Sequence, residues 1–592
     1  MDIKTKGFTM PNGDTHIFIP PSPTETERGG IKAKAKTTEN VEVAIGNDEK
    51  LYVPGTDTTL TVENSAADAK VTGDKLSSLD ETKVDKSVIL SIINKRPTVE
   101  TLDDFLELQR NDKVYKVKVP KFASNPTTTC EKLGDNAGLN FTPSTDTVEG
   151  TDDYIDKVEF MWWHNNYVRN SNGDAVITAL EGDDNYAETG AVDVGSCGMS
   201  FYYKFDETPD DHIMLTWSPS PHEELGLIPF SGNVPGHSYW CLSAYPSITA
   251  SDGLLRSQPN GKIVRNQSYS NMITNYKKKG AGYYGAGAER NTFQIIFNML
   301  MGATKSSQSL YAGVTNWNFQ YEAAVQRSAN ATYFPVTASQ ASNLEVGCYV
   351  SVGYGTNNNG SINNDRGGSS MHKYADDVKI LHIEDMDDGN KAVYLDVSTG
   401  FNTMPVALTD SLSAPIIMSS MHMWTGETNK VIGKHNGSAV SNSNGRHSYR
   451  VQGVEYALGA YIVASDTVMV FKSDYSKDVY VAPKGVTHST SESTIKSTYK
   501  LIGNIPATSS GGDYWVGDVD IDEETGGWNP SVTGSSNSQG MGDMMYAGGK
   551  STSGTREYLQ GGNLWDGSDA GSAFLHCWLG LSAADWHFCG CD

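Results

Sequence analysis

From about Gly253 to its end, the sequence contains one convincing amphipathic helix and otherwise only short strand-like runs. In NTFQIIFNMLMGAT, Phe293, Ile296, Phe297 and Leu300 recur at i, i+3, i+4 and i+7, with Gly302 near the end. Around it, Tyr349 to Val352, Val378 to Ile383 and Ala392 to Val397 read as strands, as do IIMSSMHMW, VEYALGAYIV and VMVF. Two loops, GTNNNGSINNDRGGSS and SNSQGMGDMMYAGGKSTSG, are long and rich in Gly, Ser and Asn. One helix embedded in many strands predicts an α+β C-terminal domain. Upstream, from Lys121 to about Ser251, the runs VEFMWWHNNYV, SFYYKF, HIMLTW and SYWCLSAY are separated by Gly, Asn and Asp clusters. That spacing predicts a β-sandwich-like middle. The chain as a whole is therefore expected to be multidomain and mainly β. The 59 Gly, 29 Tyr and 11 Trp support this, since turns need glycine and pleated surfaces favour aromatics.

The first half is organised differently. Val41 to Ile45 and Lys50 to Val53 flank Gly46-Asn47-Asp48, which predicts a small hairpin. Residues 57–97 are charged and poor in Gly and Pro, with Ala66, Ala69, Leu76 and Leu79 near one helical face. So polar a helix is unstable alone, which leaves a plain linker or, preferred here, a helix bundled with its own copies in a parallel trimer. Thr101 is placed as an N-cap ahead of Asp103, Asp104, Phe105 and Leu106, and Tyr115, Val117 and Val119 alternate as a strand up to Pro120. The expected division is 1–56 for attachment, 57–97 for the helical linker, 98–252 for the β-rich middle and 253–592 for the C-terminal domain. Within the last, a β insertion is expected at about 325–410.

A formal charge of −25 argues against nucleic acid, which demands clustered Lys and Arg, and against anionic membrane surfaces. The basic run Lys277-Lys278-Lys279 is short and reads as a solvated loop end. The start MDIKTKGFTMPNGDTHIF lacks the apolar core of a signal peptide, and no run reaches the ~18 apolar residues of a spanning helix. The expectation is synthesis in a cytoplasm without membrane insertion. Seven scattered cysteines (130, 197, 241, 348, 577, 589 and 591) make no disulfide framework, so reduced thiols are expected.

Several motifs carry less than they promise. Gly280, Gly282 and Gly285 match GxGxxG, but NMITNYKKK ahead of them is not the required strand and no βαβ alternation follows. Asp518, Asp520 and Asp522 open like a calcium loop, yet Glu523 stands where the turn needs glycine, and Asp385, Asp387 and Asp388 before Gly389 look like a hairpin turn. His587, Cys589, Cys591 and Asp592 offer metal-ligand types without the second, separated pair that zinc sites use. No nucleophile elbow is present, and paired carboxylates for glycoside hydrolysis become visible only on folding. No metal, cofactor or catalytic residue is assigned.

The segment 559–592, LQGGNLWDGSDAGSAFLHCWLGLSAADWHFCGCD, contains no Lys or Arg. Trp565, Phe574, Trp578, Trp586 and Phe588 are interleaved with Gly, Ser, Ala and Asp. Rigid aromatics among small residues give large contact area at little entropic cost, as paratopes do. The plainer alternative is a buried terminal β-hairpin. However, Asp566, Asp569, Asp585, His576 and His587 are hard to bury together, so one face should be exposed.

These residues resemble the variable region of proteins diversified by a diversity-generating retroelement on a C-type-lectin-type fold. The pattern is met by Gly561-Gly562, Trp565, Asp566-Gly567, Ala570-Gly571, Phe574, Ser582 and Trp586, with Leu564 where the family often has Trp. The helix from Asn291 and the strand RVQGVEYALGAYIV resemble upstream elements of that fold. GGIKAKAKTTENVEVAIGNDEKLYVP, NSAADAKVTGDKL and VYKVKVPKFASNPTTTCEKLGDNAG resemble tail-fibre proteins of gut bacteriophages.

The resemblance implies a virion fibre or receptor-binding protein that binds bacterial surface polysaccharide or protein, attaches through its N-terminus to other virion proteins, and forms a homotrimer. A head-attached fibre and a fibre-borne polysaccharide depolymerase are the alternatives. The lectin-type fold is also similar to that of formylglycine-generating oxidases, but Cys589 and Cys591 do not form a recognisable version of their reactive pair. The resemblance implies that Leu564, Trp565, Asp569, Ala573, His576, Trp578, Gly580, Ala584, Asp585 and His587 are diversified and ligand-facing. Trp565 and Trp578 are the least expected of these, because a pyrimidine-ending Asn codon is not miscopied into Trp. Gly561, Gly562, Gly567, Ala570, Gly571, Ser582 and Trp586 are assigned to the scaffold.

Overall fold

A computed structural model describes residues 84–592 apart from 125–126, 286, 358–361, 364, 509–510, 535, 549–552 and 592, with the backbone of short strands before residue 52. The described chain is mainly β, in predominantly antiparallel sheets.

Near the N-terminus, Gly7–Thr9, His16–Phe18, Ile31–Lys34 and Asn40–Val43 form a four-stranded antiparallel sheet in sequence order. The expected hairpin is not what forms. Asn40–Val43 pairs with Ile31–Lys34, whereas Lys50–Leu51 pairs with Val84–Asp85. Alternation marks a segment as a strand but leaves its partner to tertiary context. Ala66, Ala69, Leu76 and Leu79, on which the trimerising helix was placed, lie outside the described residues.

Two short helices follow, Lys86–Asn94 and Leu102–Gln109. Val88, Ile92, Leu102, Phe105 and Leu106 are buried against Trp163, Tyr167 and Cys197. Phe105 meets Trp163 edge-on, with ring centroids 5.7 Å apart. Thr101 stands at the N-cap but donates no cap to the helix; its Oγ1 accepts instead from the Thr98 N–H at 2.9 Å.

The middle zone contains two antiparallel sheets. One runs Ala175–Leu180, Trp162–Arg169, Asp193–Met199, Tyr239–Ser243, and the other Ile228–Pro229, Tyr202–Asp206, His212–Ser218, Tyr115–Pro120, Glu131–Gly134. Tyr115, Val117 and Val119 are the buried half of a strict alternation. Their core is not closed within the middle zone. They share it with Phe201, Trp217 and Phe230, and with Phe293, Ile296, Phe297 and Leu300 of helix Ala288–Gly302. Phe293–Phe297 and Phe201–Phe230 centroids lie 4.5 and 4.6 Å apart. The same cluster takes in Met469, Trp528, Tyr558, Ala573 and Leu575 from the C-terminal sheet. The helix is thus the shared centre of both zones.

Its surroundings override its amphipathic pattern. Arg290, Asn291, Gln294 and Asn298, the polar side, are also buried. Arg290 donates to the Ser243 and Glu455 carbonyls, Asn291 to the Ser572 carbonyl and Gln294 to the Tyr449 hydroxyl. Arg290, Asn291 and Gln294 thus pin the enclosing strands rather than face water. Asp466 accepts from the Ala288 N–H at the helix N-terminus, the place a dinucleotide phosphate would need. The helix ends on Ala303 at φ +50°, and a Cβ on Gly302 would come within 2.3 Å of Leu310.

A six-stranded antiparallel sheet spans residues 320–420, in the order Gln320–Glu322, Ile416–Ser420, Tyr349–Tyr354, Ala375–Asp385, Lys391–Leu395, Tyr333–Val336. It has its own core around Trp317, Phe334, Val350, Ile380 and Met418. The Asp385–Gly389 stretch is its hairpin turn, with Gly389 at φ +83°. The C-terminal sheet runs Lys500–Ile505, Lys477–Val481, Tyr461–Phe471, Thr555–Gly561, Gly571–His576, Met544–Ala547, Gly512–Asp522, Gly527–Thr533. Phe588–Cys589 joins it in parallel beside Tyr461 and Ile462. All seven cysteines are buried, and none is in a disulfide.

Candidate functional site

Strand Gly571–His576 lies between Thr555–Gly561 and Met544–Ala547, so its backbone is held on both sides. It emerges at His576, and the chain then crosses the surface to Phe588. The loop before it, 562–570, is held by main-chain contacts. Gln308 Nε2 donates to the Gly567 and Ala570 carbonyls at 2.7 Å each, and Gly567 N donates to the Thr315 carbonyl at 2.8 Å. Asp566 Oδ2 accepts from Asn563 N at 2.8 Å, closing a turn beneath Trp565. Gly562, at φ +85°, has Ala570 so close that an added Cβ would sit 2.4 Å from it.

On this frame lies a continuous aromatic and polar face. Trp578 is 50% exposed and Trp565 38% exposed, both high for tryptophan. Trp578 packs 5.9 Å from Tyr546, which stacks on His576 at 4.8 Å and 15°. Tyr461, behind the face, lies 5.8 Å from His576 and 5.2 Å from His587. His587 meets Trp565 at 4.7 Å, and Trp565 lies 5.5 Å from Trp586. His587 Nδ1 stands 3.0 Å from Asp585 Oδ1. Two clusters, Tyr546–His576–Trp578 and Trp565–Asp585–His587, are therefore joined through Tyr461.

The charge state of this face follows from its partial burial. Burial pushes the Asp566 carboxyl up to about 7, against the Asn563 N–H that it accepts. Burial also raises Asp569, aided by Asp513. His576 is pushed down to about 4 by burial and by neighbouring His587, so it presents a neutral ring near neutral pH. For Asp585, burial pushes the carboxyl up, but the His587 ring together with the Trp586 and His587 N–H groups holds it below its usual range. The face offers flat aromatic surfaces with carboxylate and imidazole groups at their edges. That chemistry binds by stacking and hydrogen bonding.

Of the ten residues expected to face a ligand, Trp565, Asp569, His576, Trp578, Gly580, Ala584, Asp585 and His587 are exposed or half-buried. Leu564 and Ala573 are corrections: both are fully buried. Leu564 packs into the core of the six-stranded sheet, donating its N–H to the Gly459 carbonyl and accepting from Trp317 N. Ala573 sits on a central strand covered by helix Ala288–Gly302. Of the expected scaffold, Gly562, Ala570, Gly571 and Trp586 are buried and Gly561 and Gly567 are half-buried, but Ser582 is exposed on the surface crossing. Trp586 anchors that crossing against the six-stranded sheet, 5.0 Å from His422 and 5.6 Å from the Arg366 guanidinium. Tyr461 and Tyr546 were missed. Tyr461 was visible only as a strand position, and Tyr546 lay in a stretch read as loop.

The metal-like motifs do not converge. Asp518 pairs with Lys305 at 2.9 Å and Asp522 with Lys500 at 2.7 Å. Cys589 and Cys591 are buried while His587 lies on the face. Glu345, Cys348 and His447 do bring ligand-type atoms within 4.8 Å of one another, but Glu345 is already held by His447 at 2.7 Å and Arg446 at 3.3 Å. The chain matches no protein-family model and no curated protein.

Proposed function

We propose that this protein is a receptor-binding fibre protein of a tailed bacteriophage, whose C-terminal aromatic face binds a bacterial surface polysaccharide or protein without catalysing a reaction. The observation that carries this is the joined face of Trp565, His587, His576 and Trp578. Two large tryptophans are left in water, Trp565 on a loop whose carbonyls Gln308 holds and Trp578 just past the central strand Gly571–His576. Folding gains nothing from such exposure, and binding does. A C-type-lectin-like C-terminal unit is supported by helix Ala288–Gly302 lying against the sheet and by the closing strand Phe588–Cys589 paired beside Tyr461. The N-terminal segment attaches to the virion in this proposal, and a homotrimer presents three faces, turning weak single-site binding into avidity.

The test is binding of the full chain to a panel of gut bacterial cells, beside a variant carrying His576→Ala, Trp578→Ala and Asp585→Ala. Wild type binds a subset of strains, and the folded variant loses at least about tenfold in affinity. Equal binding by both proteins overturns the assignment of the face. A fall in polymer viscosity on incubation with the protein overturns the statement that it does not catalyse.

A further inference from the structure

Far along the chain from the C-terminal face, a cavity of about 630 Å³ opens between the middle zone and the loops after residue 430. None of its lining residues lies in 559–592. Its size is within the roughly 300–1,000 Å³ of small-molecule sites. Its apolar lining is Tyr154, Phe160, Met161, Trp162 and Met301; Asp152, His435 and Gln452 are polar groups buried within it, and Asp156, Glu181, Lys434, Lys95 and Arg96 line its more exposed edge.

The walls are fixed before any ligand arrives. Trp162 is clamped between Lys434, 4.5 Å from its ring, and Arg450, 5.0 Å away, and its Nε1 donates to the Lys434 carbonyl at 2.9 Å. Arg450 donates to the Val431, Gly433 and His435 carbonyls, which sets the loop that forms one wall. Gln452 is held by the Phe160 carbonyl and Asn436. Binding there costs little ordering entropy.

Arg96 aside, whose guanidinium donates to the Gly182 carbonyl at the outer edge, the charges of the lining are already matched to one another. Lys95 pairs with Asp156 at 2.9 Å, Lys434 with Glu181, and His435 Nδ1 lies 3.4 Å from Asp152 Oδ2 without a well-formed hydrogen bond. A charge seated among these pairs would have to break one of them, and a purely apolar ligand would strip them of water. A ligand with many neutral hydroxyls satisfies donors and acceptors alike while its ring faces cover the apolar lining. We propose that this cavity is a second binding site, independent of the C-terminal face, and that it takes a short stretch of uncharged oligosaccharide.

The test titrates the full chain with a set of neutral di- to tetrasaccharides, with their uronic-acid and amino-sugar counterparts, and with an alkyl glycerol. Saturation-transfer NMR and calorimetry give the readout. Two variants narrow the mouth without emptying a core: Ile155→Trp, and Asp156→Trp at a side chain that is 85% exposed. A third, Trp565→Ala with Trp578→Ala, removes the other face. A neutral sugar binds wild type and the Trp565/Trp578 variant equally, and loses at least about tenfold in affinity in a folded mouth variant. Binding of no neutral sugar, preference for a charged or alkyl probe, or affinity unchanged by both mouth variants overturns the proposal. Loss on removing Trp565 and Trp578 alone also overturns it, because the sugar would then sit on the C-terminal face.

Discussion

Helix Ala288–Gly302 inverts what its pattern suggests, whereas the segment 559–592 keeps the exposed face that its pattern suggests. The helix has a polar side, yet Arg290, Asn291, Gln294 and Asn298 are enclosed. The segment is dense in tryptophan and small residues, and leaves Trp565 and Trp578 in water. The difference lies in what surrounds each. The helix is walled by sheets from both zones, whose backbone carbonyls accept from Arg290 and Asn291 and whose Tyr449 hydroxyl accepts from Gln294, while the Asn298 amide is enclosed without a partner among the described residues. The segment has a partner on both sides of its strand, whereas the crossing that follows is held at points, by Glu557 N on the Leu579 carbonyl, Ser270 N on the Leu581 carbonyl and Asn266 N on the Asp585 carbonyl, which leaves Trp578 outside. Polarity along a sequence thus reports the need for a hydrogen-bond partner, and water is only one of the candidates.

That comparison can be broken at its extremes. Phe297→Ala should cost about 3–5 kcal/mol by denaturant unfolding, because the cavity falls among the rings of Phe160, Phe201, Trp217 and Phe293, while Trp578→Ala should stay within about 0.5 kcal/mol. Comparable losses for the two would show that the face is structural. A sharper pair sits on adjacent residues. Leu564→Ala should cost about 2–5 kcal/mol of stability, whereas Trp565→Ala should leave stability nearly unchanged and weaken cell binding about tenfold.

Next comes pH. Burial pushes the carboxyls of Asp377, Glu455 and Asp466 up to about 7 and that of Glu557 up to about 8. The folded state therefore takes up protons more readily than the unfolded chain, and stability falls as pH rises through these values. Burial pushes His164 and His488 down to about 3, so stability also falls as pH drops below the unfolded histidine value of about 6.5. The acids' contribution is present below their unfolded values of about 4 and lost by the time pH passes 7 to 8, while the histidine contribution is complete by about 6.5, so the melting temperature should fall between about pH 6.5 and 8, and Glu557→Gln should soften that decline. A melting temperature that rises across that interval contradicts the assignment of these buried acids. The smallest effect belongs to Ala584→Ser and Ser582→Ala on the exposed crossing, each within about 0.5 kcal/mol.

Much of the architecture was legible in the residues. The helix around Phe293 to Leu300, the alternation of Tyr115, Val117 and Val119, and the turn at Asp385–Gly389 are local patterns, and they form as read. Partners were not legible. Asn40–Val43 and Lys50–Leu51 are strands that pair elsewhere, and the middle zone shares its core with a helix beyond residue 252. Within the candidate site, His576, Trp578, Trp565 and Asp585 were identifiable because they combine aromatic or charged character with small neighbours. Leu564 and Ala573 are assigned by their position in the family pattern, which does not encode that the Leu564 turn packs on the six-stranded sheet or that Ala573 lies under helix Ala288–Gly302. Tyr461 and Tyr546 reach the site through strand pairing between distant segments, which spacing along the chain does not encode.

The buried thiols have a practical consequence. All seven are enclosed, and burial pushes Cys130, Cys241 and Cys577 up to about 12, far from the thiolate that reacts with maleimides. The folded protein therefore carries a silent background for sulfhydryl chemistry. One cysteine introduced at the exposed Ala584 would be its fastest-reacting thiol. A fluorophore coupled there would report occupancy of the neighbouring tryptophans, with every native cysteine left in place.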